Sequence, residues 1–478
     1  MQILKDYFSA VNKVEQEYDG EELEVIDGQI PDYLNGTLFR NGNGRFEHFG
    51  VKYNHLFDGD GMITSYRFSG GKVEYSNRYV RTREWKAEQE KQKFLFRGFG
   101  TNKPGGLFRN ILDMRFKNVA NTSVIFHAGR LLALWEGGLP HEIDPETLKT
   151  IGRYDYDGVL INDFSFLDHK IFPELPFSAH PKRGSDGVLH NFGTAGGVKN
   201  RLLHYEVDPL GKAKIAHVTE LKRLNFTHDF ILTAQGDKVY FLTPVQFDVL
   251  RSFAGLTTPA GSMQADKTAK IRILVFDSEY NQIELETDFA FVFHFINGFR
   301  EGNTIILDGL MLSDWPSAEG MQDFLNGEVE EMAPFQPTRF ELDLESRTVK
   351  KHKIINYGVE FPTHHPAYQG QKYRYAWGIS APLKNDMASP ILDGLIKLDL
   401  SETSSKVYKN LAHCLPGEPI FVPRSDKEED GLLILPVYNQ REDSTEIRGY
   451  EASDLQLVFS ARLPHNIPLG FHGIWEEN

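Results

Sequence analysis

The chain is almost free of cysteine, because Cys414 is the only one among 478 residues. A single thiol cannot form an intrachain disulfide, and it cannot build a metal cage of thiolates. Any metal site must therefore use histidine or carboxylate ligands. A chain without disulfides suits a reducing compartment, so we expect a cytoplasmic protein.

Basic residues and long apolar runs are also scarce. The 52 Lys and Arg are outnumbered by 67 Asp and Glu, which gives a net charge of -15. This charge argues against a nucleic-acid partner, because binding phosphates requires clustered cations. No apolar run approaches the roughly 18 residues of a membrane-spanning helix. Residues 1–19 are charged and contain no apolar core, so they do not resemble a secretory signal.

Helical patterns are few, and paired strand patterns dominate. Runs of β-branched and aromatic residues are repeatedly broken by two or three turn residues, which is typical of β-hairpins. Five such pairs lie at 63–68 with 72–81, 122–126 with 130–136, 230–233 with 238–243, 291–296 with 304–310, and 339–344 with 348–354. Helical patterns occur at 3–17, 82–92, 247–254 and 321–326.

No linker or shift in composition divides the chain, so we predict one domain over residues 1–478. An all-β chain of many hairpins must hide its sheet edges, which favours a β-propeller of roughly four to eight blades. No repeat of the WD40 or kelch kind is present, so the blades have diverged. A sandwich or a pair of barrels is the structural alternative.

Four of the 17 histidines lie among aromatic or small apolar residues, namely His180, His228, His294 and His472. An imidazole in such a setting is costly unless it is hydrogen-bonded or metal-bound. Their wide separation excludes a ligand pair on one helix and suits ligands that arrive from separate blades. Imidazole binds zinc, copper, iron and nickel, so these residues alone do not name a metal. Ordinary hydrogen-bonded core histidines are the alternative.

Several short motifs resemble those of the carotenoid cleavage oxygenases and occur in the same order. They are GTLFRNG at 36–42, HLFDGDGM at 55–62, AHP at 179–181, HDF at 228–230, EPIFVP at 418–423 and GFHG at 470–473. The resemblance implies a seven-bladed propeller capped by a dome of helices and loops. It also implies ferrous iron, Fe(2+), on the propeller axis, held by the four histidines.

The resemblance extends to residues around the metal ligands. Glu136, Glu360 and Glu418 match glutamates that bond to ligand histidines, where a carboxylate fixes the tautomer and offsets the ion's charge. Thr122 matches a residue whose methyl group crowds one open position on the metal. Trp135, beside Glu136, is the second residue expected to act at the reacting bond. Solvated loop glutamates and an ordinary strand threonine are the alternatives.

The family resemblance implies oxidative cleavage of a conjugated C=C bond by O2 into two carbonyl products. The protein would hold an apolar polyene so that one double bond faces the metal. Stilbene-cleaving members of the family carry a lysine and a tyrosine for the phenol, whereas here those positions hold Trp135 and Phe99. This departure favours a carotenoid or apocarotenoid over a stilbene. Nothing in the sequence supports a third family activity, retinoid isomerisation.

A polyene dissolves in membranes, so such an enzyme must reach a membrane surface. A helix over 247–254 would place Phe247, Leu250 and Phe253 along one side. The segment also lies where the family has a membrane-dipping element. We therefore expect monotopic, peripheral attachment at the mouth of a substrate tunnel. A helix packed on the dome is the alternative.

Two other classes of function compete with an oxygenase. A non-catalytic propeller would bind partners through its faces, although no protein partner is evident and it would not need this set of histidines and glutamates. A zinc hydrolase would normally keep three protein ligands and a water, and it would not depend on oxygen. The sequence does not identify the double bond that is cleaved, the substrate length or the oligomeric state.

Overall fold

Seven antiparallel sheets, each of four or more strands, form the blades of a β-propeller in the computed structural model. The structure describes residues 2–113, 116–315, 318–329, 332–384, 387, 389–401 and 405–477. All five predicted hairpins are antiparallel strand pairs. The predicted all-β class and the seven-bladed architecture are therefore confirmed, and a sandwich or barrel pair is excluded.

Blades 2 to 6 are each one continuous segment of four strands. Blade 2 contains Ser123–His127, Arg130–Leu134, His141–Ile143 and Thr150–Arg153; blade 3 contains Lys182–Arg183, Leu189–Ala195, Asn200–Val207 and Ala213–Leu221; blade 4 contains Phe230–Leu232, Lys238–Leu242, Ile271–Phe276 and Gln282–Thr287; blade 5 contains Phe291–Glu301, Thr304–Leu312, Gln336–Asp343 and Thr348–Lys353; blade 6 contains Tyr357–Thr363, Tyr375–Pro382, Gly394–Asp399 and Ser405–Asn410.

Blades 1 and 7 combine strands from both ends of the chain. Blade 1 contains Gly473–Glu477, Gly36–Asn43, Gly61–Ser69, Lys72–Tyr79 and Glu21–Glu22; blade 7 contains Cys414–Pro416, Ile420–Pro423, Gly431–Asn439, Ser444–Glu451, Leu457–Arg462 and Glu24–Gly28. The last strand pairs with Gly36–Asn43, with Arg40 opposite Gly473. The ring is thus closed by backbone hydrogen bonds that hold the C-terminal segment inside the fold.

Apolar side chains fill the spaces between neighbouring blades. One buried cluster joins Tyr66 and Phe68 of blade 1 to Ile434 and Phe459 of blade 7. Another cluster joins blades 4 and 5 through residues such as Phe241 and Phe340. Because each sheet buries its faces against its neighbours, the first strands of adjacent blades are brought together around the axis.

The described residues contain six α-helices: α1 Gln2–Ala10, α2 Arg83–Lys91, α3 Leu107–Asn110, α4 Phe166–Ile171, α5 Val249–Phe253 and α6 Ala318–Leu325. Short 3₁₀ helices cover Leu56–Asp58, Ala260–Ser262 and Pro366–Tyr368. Apart from α1, these helices interrupt the connections between strands. The dome is formed by α1, α4, α5 and α6, which line one cavity. None of the described helices is long and apolar enough to cross a bilayer.

Local capping decides where these helices begin and end. Thr82 accepts a 3.0 Å hydrogen bond from Trp85 N and begins α2, in agreement with the predicted helix at 82–92. The helix predicted at 3–17 is shorter in the structure, where α1 ends at Ala10.

The predicted helix at 247–254 is wrong at its start. Phe247 belongs to the strand Val245–Phe247, which pairs with Met263–Ala265. Asp248 accepts a 3.0 Å hydrogen bond from Arg251 N and caps α5. Phe247 therefore does not share a helical face with Leu250 and Phe253.

Candidate metal centre

Each of the seven blades contributes one residue to a single cluster of histidines and glutamates at the axis. These residues lie at or near the start of an inner strand, or at the turn after one. Blades 1, 3, 4 and 5 contribute His472, His180, His228 and His294, and blades 2, 6 and 7 contribute Glu136, Glu360 and Glu418. The structure therefore brings together residues that are widely separated along the chain.

The four histidines are close enough to share one ion. Their potential ligand atoms all lie within 4.8 Å of one another. His180 Nε2 and His228 Nε2 are 2.9 Å apart. Two imidazole nitrogens at right angles, each about 2.1 Å from a first-row metal ion, would be about 3 Å apart. The observed spacing fits two adjacent ligands of one metal ion.

Three carboxylates contact the outer nitrogens of three of these histidines. Glu360 Oε2 is 2.7 Å from His294 Nδ1, and Glu418 Oε1 is 2.8 Å from His472 Nδ1. Glu136 Oε1 contacts His228 Nδ1. A carboxylate at Nδ1 accepts its proton and leaves the Nε2 lone pair free to bind a metal. His294 Nε2 is buried and has no hydrogen-bond partner within the described part of the chain.

The surroundings of His180 favour its neutral form, which can bind a cation. Burial and the three neighbouring histidines hold the pKa of His180 well below its ordinary value. A set of neutral nitrogen donors suits a transition metal rather than magnesium or calcium, which prefer oxygen ligands. The three nearby carboxylates offset the charge that such an ion brings. The residues present therefore fit a divalent transition metal.

Arg40, which the sequence analysis did not single out, holds the segment that carries His472. This buried guanidinium donates to the backbone oxygen of Glu418 at 2.9 Å, and to those of Leu469 and Phe471 at 3.3 Å. It also lies 3.5 Å from Glu418 Oε2. Its place in the GTLFRNG motif at 36–42 was the sequence signal available for this role.

Asp229 was also missed, and it connects three of the ligand-bearing segments. Its buried carboxylate accepts hydrogen bonds from Phe230 N at 2.8 Å and Phe295 N at 3.0 Å, and it pairs with Lys182 at 2.9 Å. These residues lie next to or two positions from His228, His294 and His180. Asp229 therefore fixes the relative positions of three backbones, and a carboxylate beside His228 was the available signal.

The backbone beside Glu360 is strained. Phe361 has a φ of 50°, in the left-handed region that non-glycine residues rarely adopt. The register with the next strand shifts at this point, and Phe361 N donates to Glu360 Oε2 at 2.6 Å. The irregularity aims the Glu360 carboxylate at His294, and such strain persists only where the surrounding structure enforces it.

The histidine cluster faces an apolar cavity of about 1720 Å³. His228, His294 and His472 line the cavity, and so do Thr122 and Trp135. The Thr122 hydroxyl donates to Asn121 Oδ1 at 3.1 Å, and the Thr122 backbone oxygen accepts from His472 N at 3.2 Å. The structure thus places both predicted reaction-site residues beside the histidines.

The three predicted membrane-contact residues have different surroundings. Leu250 is 80% exposed, and Phe253 is 38% exposed and also lines the cavity. Phe247 is only partly exposed and lines the cavity from its strand. Of these three side chains, Leu250 and Phe253 are therefore exposed, and Phe247 is only partly exposed.

A second group of potential ligands, His48, Asp60 and Glu88, is fully buried. Lys117 Nζ lies 2.7 Å from both Asp60 Oδ1 and Glu88 Oε2. Arg45 Nε lies 3.1 Å from the other oxygen of Asp60. The ammonium group thus takes the position that a cation would need, and the group is a buried ion-pair network rather than a metal site.

The sequence profile of the retinal pigment epithelial membrane protein family matches residues 11–477. The chain is 32% identical to the apocarotenoid-15,15'-oxygenase of Synechocystis sp., over 99% of this chain and 96% of that protein. It is 30% identical to the isoeugenol monooxygenase of Pseudomonas nitroreducens, over 96% and 95% of the two chains. It is 28% identical to the carotenoid 9,10(9',10')-cleavage dioxygenase 1 of Arabidopsis thaliana, over 94% and 86%.

A crystal structure of the cobalt-substituted apocarotenoid oxygenase of Synechocystis is similar over nearly the whole chain. The TM-score is 0.91 at 31% sequence identity, and 99% of each chain is covered. The likeness thus extends over the whole propeller and its dome.

Proposed function

The chain belongs to the retinal pigment epithelial membrane protein family, that of the carotenoid cleavage oxygenases, and we propose that it cleaves a conjugated C=C bond of a carotenoid or apocarotenoid with O2 into two carbonyl products. It is an oxidoreductase of the dioxygenase type. The observation that carries the substrate assignment is the set of four converging imidazoles facing one large apolar cavity. Such a cavity matches a long substrate without polar groups along its middle.

The proposed cofactor is iron(II), held by His180, His228, His294 and His472. These four imidazoles would hold the ion at the edge of the cavity and would leave room for dioxygen on the cavity side. When bound, ferrous iron supplies the activation of dioxygen, which no side chain of this protein can provide.

The surrounding residues hold the ligands in the required state. Glu136, Glu360 and Glu418 keep the proton on Nδ1 of three histidines, so that Nε2 is available to the metal. Arg40 and the Thr122 backbone oxygen fix the position of His472. Thr122 lines the cavity beside these ligands, where its methyl group would restrict the approach to the ion. Each of these roles is proposed from contacts at the cluster.

The cavity walls orient the polyene and exclude water. Phe293 stacks on His228 with the ring centroids 3.8 Å apart, and Phe57 lies between Phe293 and Phe471 at 6.0 and 5.6 Å. Flat aromatic walls hold a conjugated chain by shape and leave one double bond beside the metal. Trp135 and Phe99, at the positions of the stilbene-cleaving lysine and tyrosine, line the same cavity without an ammonium or hydroxyl group. This supports a carotenoid or apocarotenoid rather than a phenolic stilbene.

Peripheral attachment to a membrane is part of the proposal. Leu250 and Phe253 of α5 lie beside the exposed Phe108 and Leu112, and Leu112 N donates to Phe253 O at 2.9 Å. The buried Arg97 donates to backbone oxygens of both segments, including Asp113 O at 3.1 Å and Ser252 O at 3.0 Å. A fixed apolar patch at a cavity opening suits monotopic docking on the cytoplasmic side of a membrane, where the substrate dissolves.

The decisive experiment combines metal analysis with an oxygen test. The purified protein is loaded anaerobically with iron(II), and it is then incubated with an apocarotenal with and without air. We expect stoichiometric iron and two aldehyde products by mass spectrometry, in air only. His294→Ala should lose both iron and products. Iron-free protein that binds no polyene would favour a non-catalytic propeller, and oxygen-independent turnover with zinc would favour a hydrolase.

A further inference from the structure

The N-terminal helix α1 forms one wall of the cavity. Leu4, Tyr7 and Phe8 all line it. The Phe8 ring contacts Phe46 and Phe324, with centroids 5.3 and 5.6 Å apart, and both of these residues also line the cavity. Together these side chains make a continuous apolar wall, which we call the α1 wall.

The α1 wall is anchored to the segment that carries His472. The Tyr7 hydroxyl accepts a 2.9 Å hydrogen bond from Leu469 N, three residues before this histidine. On the other side of α1, Gly327 lies so close that an added Cβ would be 2.8 Å from Lys5 Cγ. Helix α1 is therefore held between the end of α6 and the metal-binding segment, and the wall stands at a fixed distance from the histidines.

The cavity lining differs in exposure between the α1 wall and the helices α4 and α5. Leu4 and Tyr7 are buried, although they line the cavity. By contrast, Leu167 and Ile171 of α4, Val198, and Phe253 of α5 line the cavity and are exposed. A polyene that enters between α4 and α5 can therefore pass the histidines only until its leading end reaches the α1 wall.

We infer that the α1 wall is the stop that selects the double bond to be cleaved, with Phe8 as the specificity-determining side chain. This inference rests on the proposed polyene-cleaving function. The middle of a polyene offers no hydrogen-bonding group, so its register is set by a contact at its end. Cleavage gives a leading product, the fragment between the histidine cluster and the α1 wall, and a trailing product on the entry side. The distance from the α1 wall to the histidine cluster then fixes the length of the leading product, whatever the length of the trailing product.

The test uses iron-loaded full-length protein and a series of detergent-dispersed apocarotenals of graded chain length. Phe8→Ala deepens the cavity at the α1 wall, so we expect the leading product to become longer, by at least one conjugated double bond. Phe8→Trp makes the cavity shallower, and we expect a shorter leading product or loss of cleavage. Mass spectrometry of both aldehydes measures the shift.

The matched control is Phe253→Ala, which removes the same ring from α5. We expect it to raise KM and to leave the cleavage position unchanged. Melting temperature and iron content identify a variant that folds poorly, in which case Phe8→Leu takes the place of Phe8→Ala. If the wild-type protein cleaves polyenes and the folded Phe8 variants give unchanged products, the inference about α1 is overturned and the proposed function stands. If the wild-type protein cleaves none of the series, the proposed function itself fails.

Discussion

Glu418 and His472 come from different blades and lie 54 residues apart, yet a carboxylate oxygen of one is 2.8 Å from Nδ1 of the other. The second oxygen of Glu418 accepts from Gly473 N, also at 2.8 Å. One carboxylate thus fixes both the proton and the backbone position of a candidate metal ligand. The contact closes the ring between blades 7 and 1 at the candidate metal centre.

Replacing this carboxylate by an amide should weaken metal binding. We expect Glu418→Gln to lower the iron affinity roughly 10- to 100-fold, because the amide carries no charge and accepts the Nδ1 proton less strongly. Titration with iron(II) against a competing chelator measures the change. The control is Glu146→Gln, an exposed glutamate of blade 2. Equal iron affinities in the two variants would show that Glu418 does not contribute to metal binding.

The loss of Arg40 should destabilise the protein and its metal site together. Arg40→Met leaves the Glu418 carboxylate and three backbone oxygens without their buried donor, which should cost about 3–5 kcal/mol of unfolding free energy. Urea unfolding measures this cost, and metal analysis should show reduced iron. Arg67→Met, in the adjacent strand, removes an exposed ion pair and should cost no more than about 1 kcal/mol. A stable, fully iron-loaded Arg40→Met protein would contradict the proposed role.

The membrane proposal predicts different effects for residues on the two sides of the cavity opening. Leu250→Ser with Phe253→Ser should release the protein from phospholipid vesicles, because both side chains are exposed. Cleavage of detergent-dispersed substrate should persist at the same double bond but with a raised KM, because Phe253 also lines the cavity. Phe247→Ser should instead alter cleavage and leave vesicle binding unchanged, because Phe247 lines the cavity. The control is Leu210→Ser, which changes a 91% exposed leucine in a turn of blade 3. Continued co-sedimentation of the double variant would refute docking through α5.

His55 should make the protein less stable in mild acid. Burial lowers the pKa of His55 from its ordinary 6.5 to about 4. Because the unfolded chain binds the proton first, the stabilisation is complete above pH 6.5 and is lost as the pH falls towards 4. The unfolding free energy lost in full is about 3 kcal/mol.

His55→Asn tests this pH dependence. His55 Nδ1 accepts from Phe57 N at 3.2 Å, and an asparagine oxygen can accept the same hydrogen bond without titrating. We expect the unfolding free energy of the variant to fall less steeply between pH 6.5 and 4. If urea unfolding gives the same dependence of the unfolding free energy on pH for the variant and the wild-type protein, His55 does not contribute to the loss of stability in acid.

Local patterns were sufficient to predict much of the fold. The hairpin from Ile63 to Arg78 follows from alternating residues around a glycine turn, and its strands are those predicted. The helix bounded by Thr82 and Gln92 follows from its capping residue. The four histidines were recognisable from their apolar neighbours and from motifs shared with a family. Each of these signals is contained within a few neighbouring residues of the chain.

Other features depend on contacts between distant parts of the chain. Helix α5 begins later than predicted because Phe247 pairs with Met263, 16 residues later in the chain. No local pattern contains that pairing. Arg40 and Asp229 have their roles only because residues of other blades lie beside them as hydrogen-bond and ion-pair partners.

The sequence by itself determined that the chain forms many hairpins, that it lacks thiolate ligands, and which histidines are candidates for a metal, since each depends on residue type and near neighbours. Only the tertiary structure decided that seven blades each supply one residue to the centre, that Arg40 holds the last segment, and that α1 lines the cavity. The physical reason is that ring closure joins the two chain ends, so the candidate metal centre and its cavity exist only after long-range packing is complete.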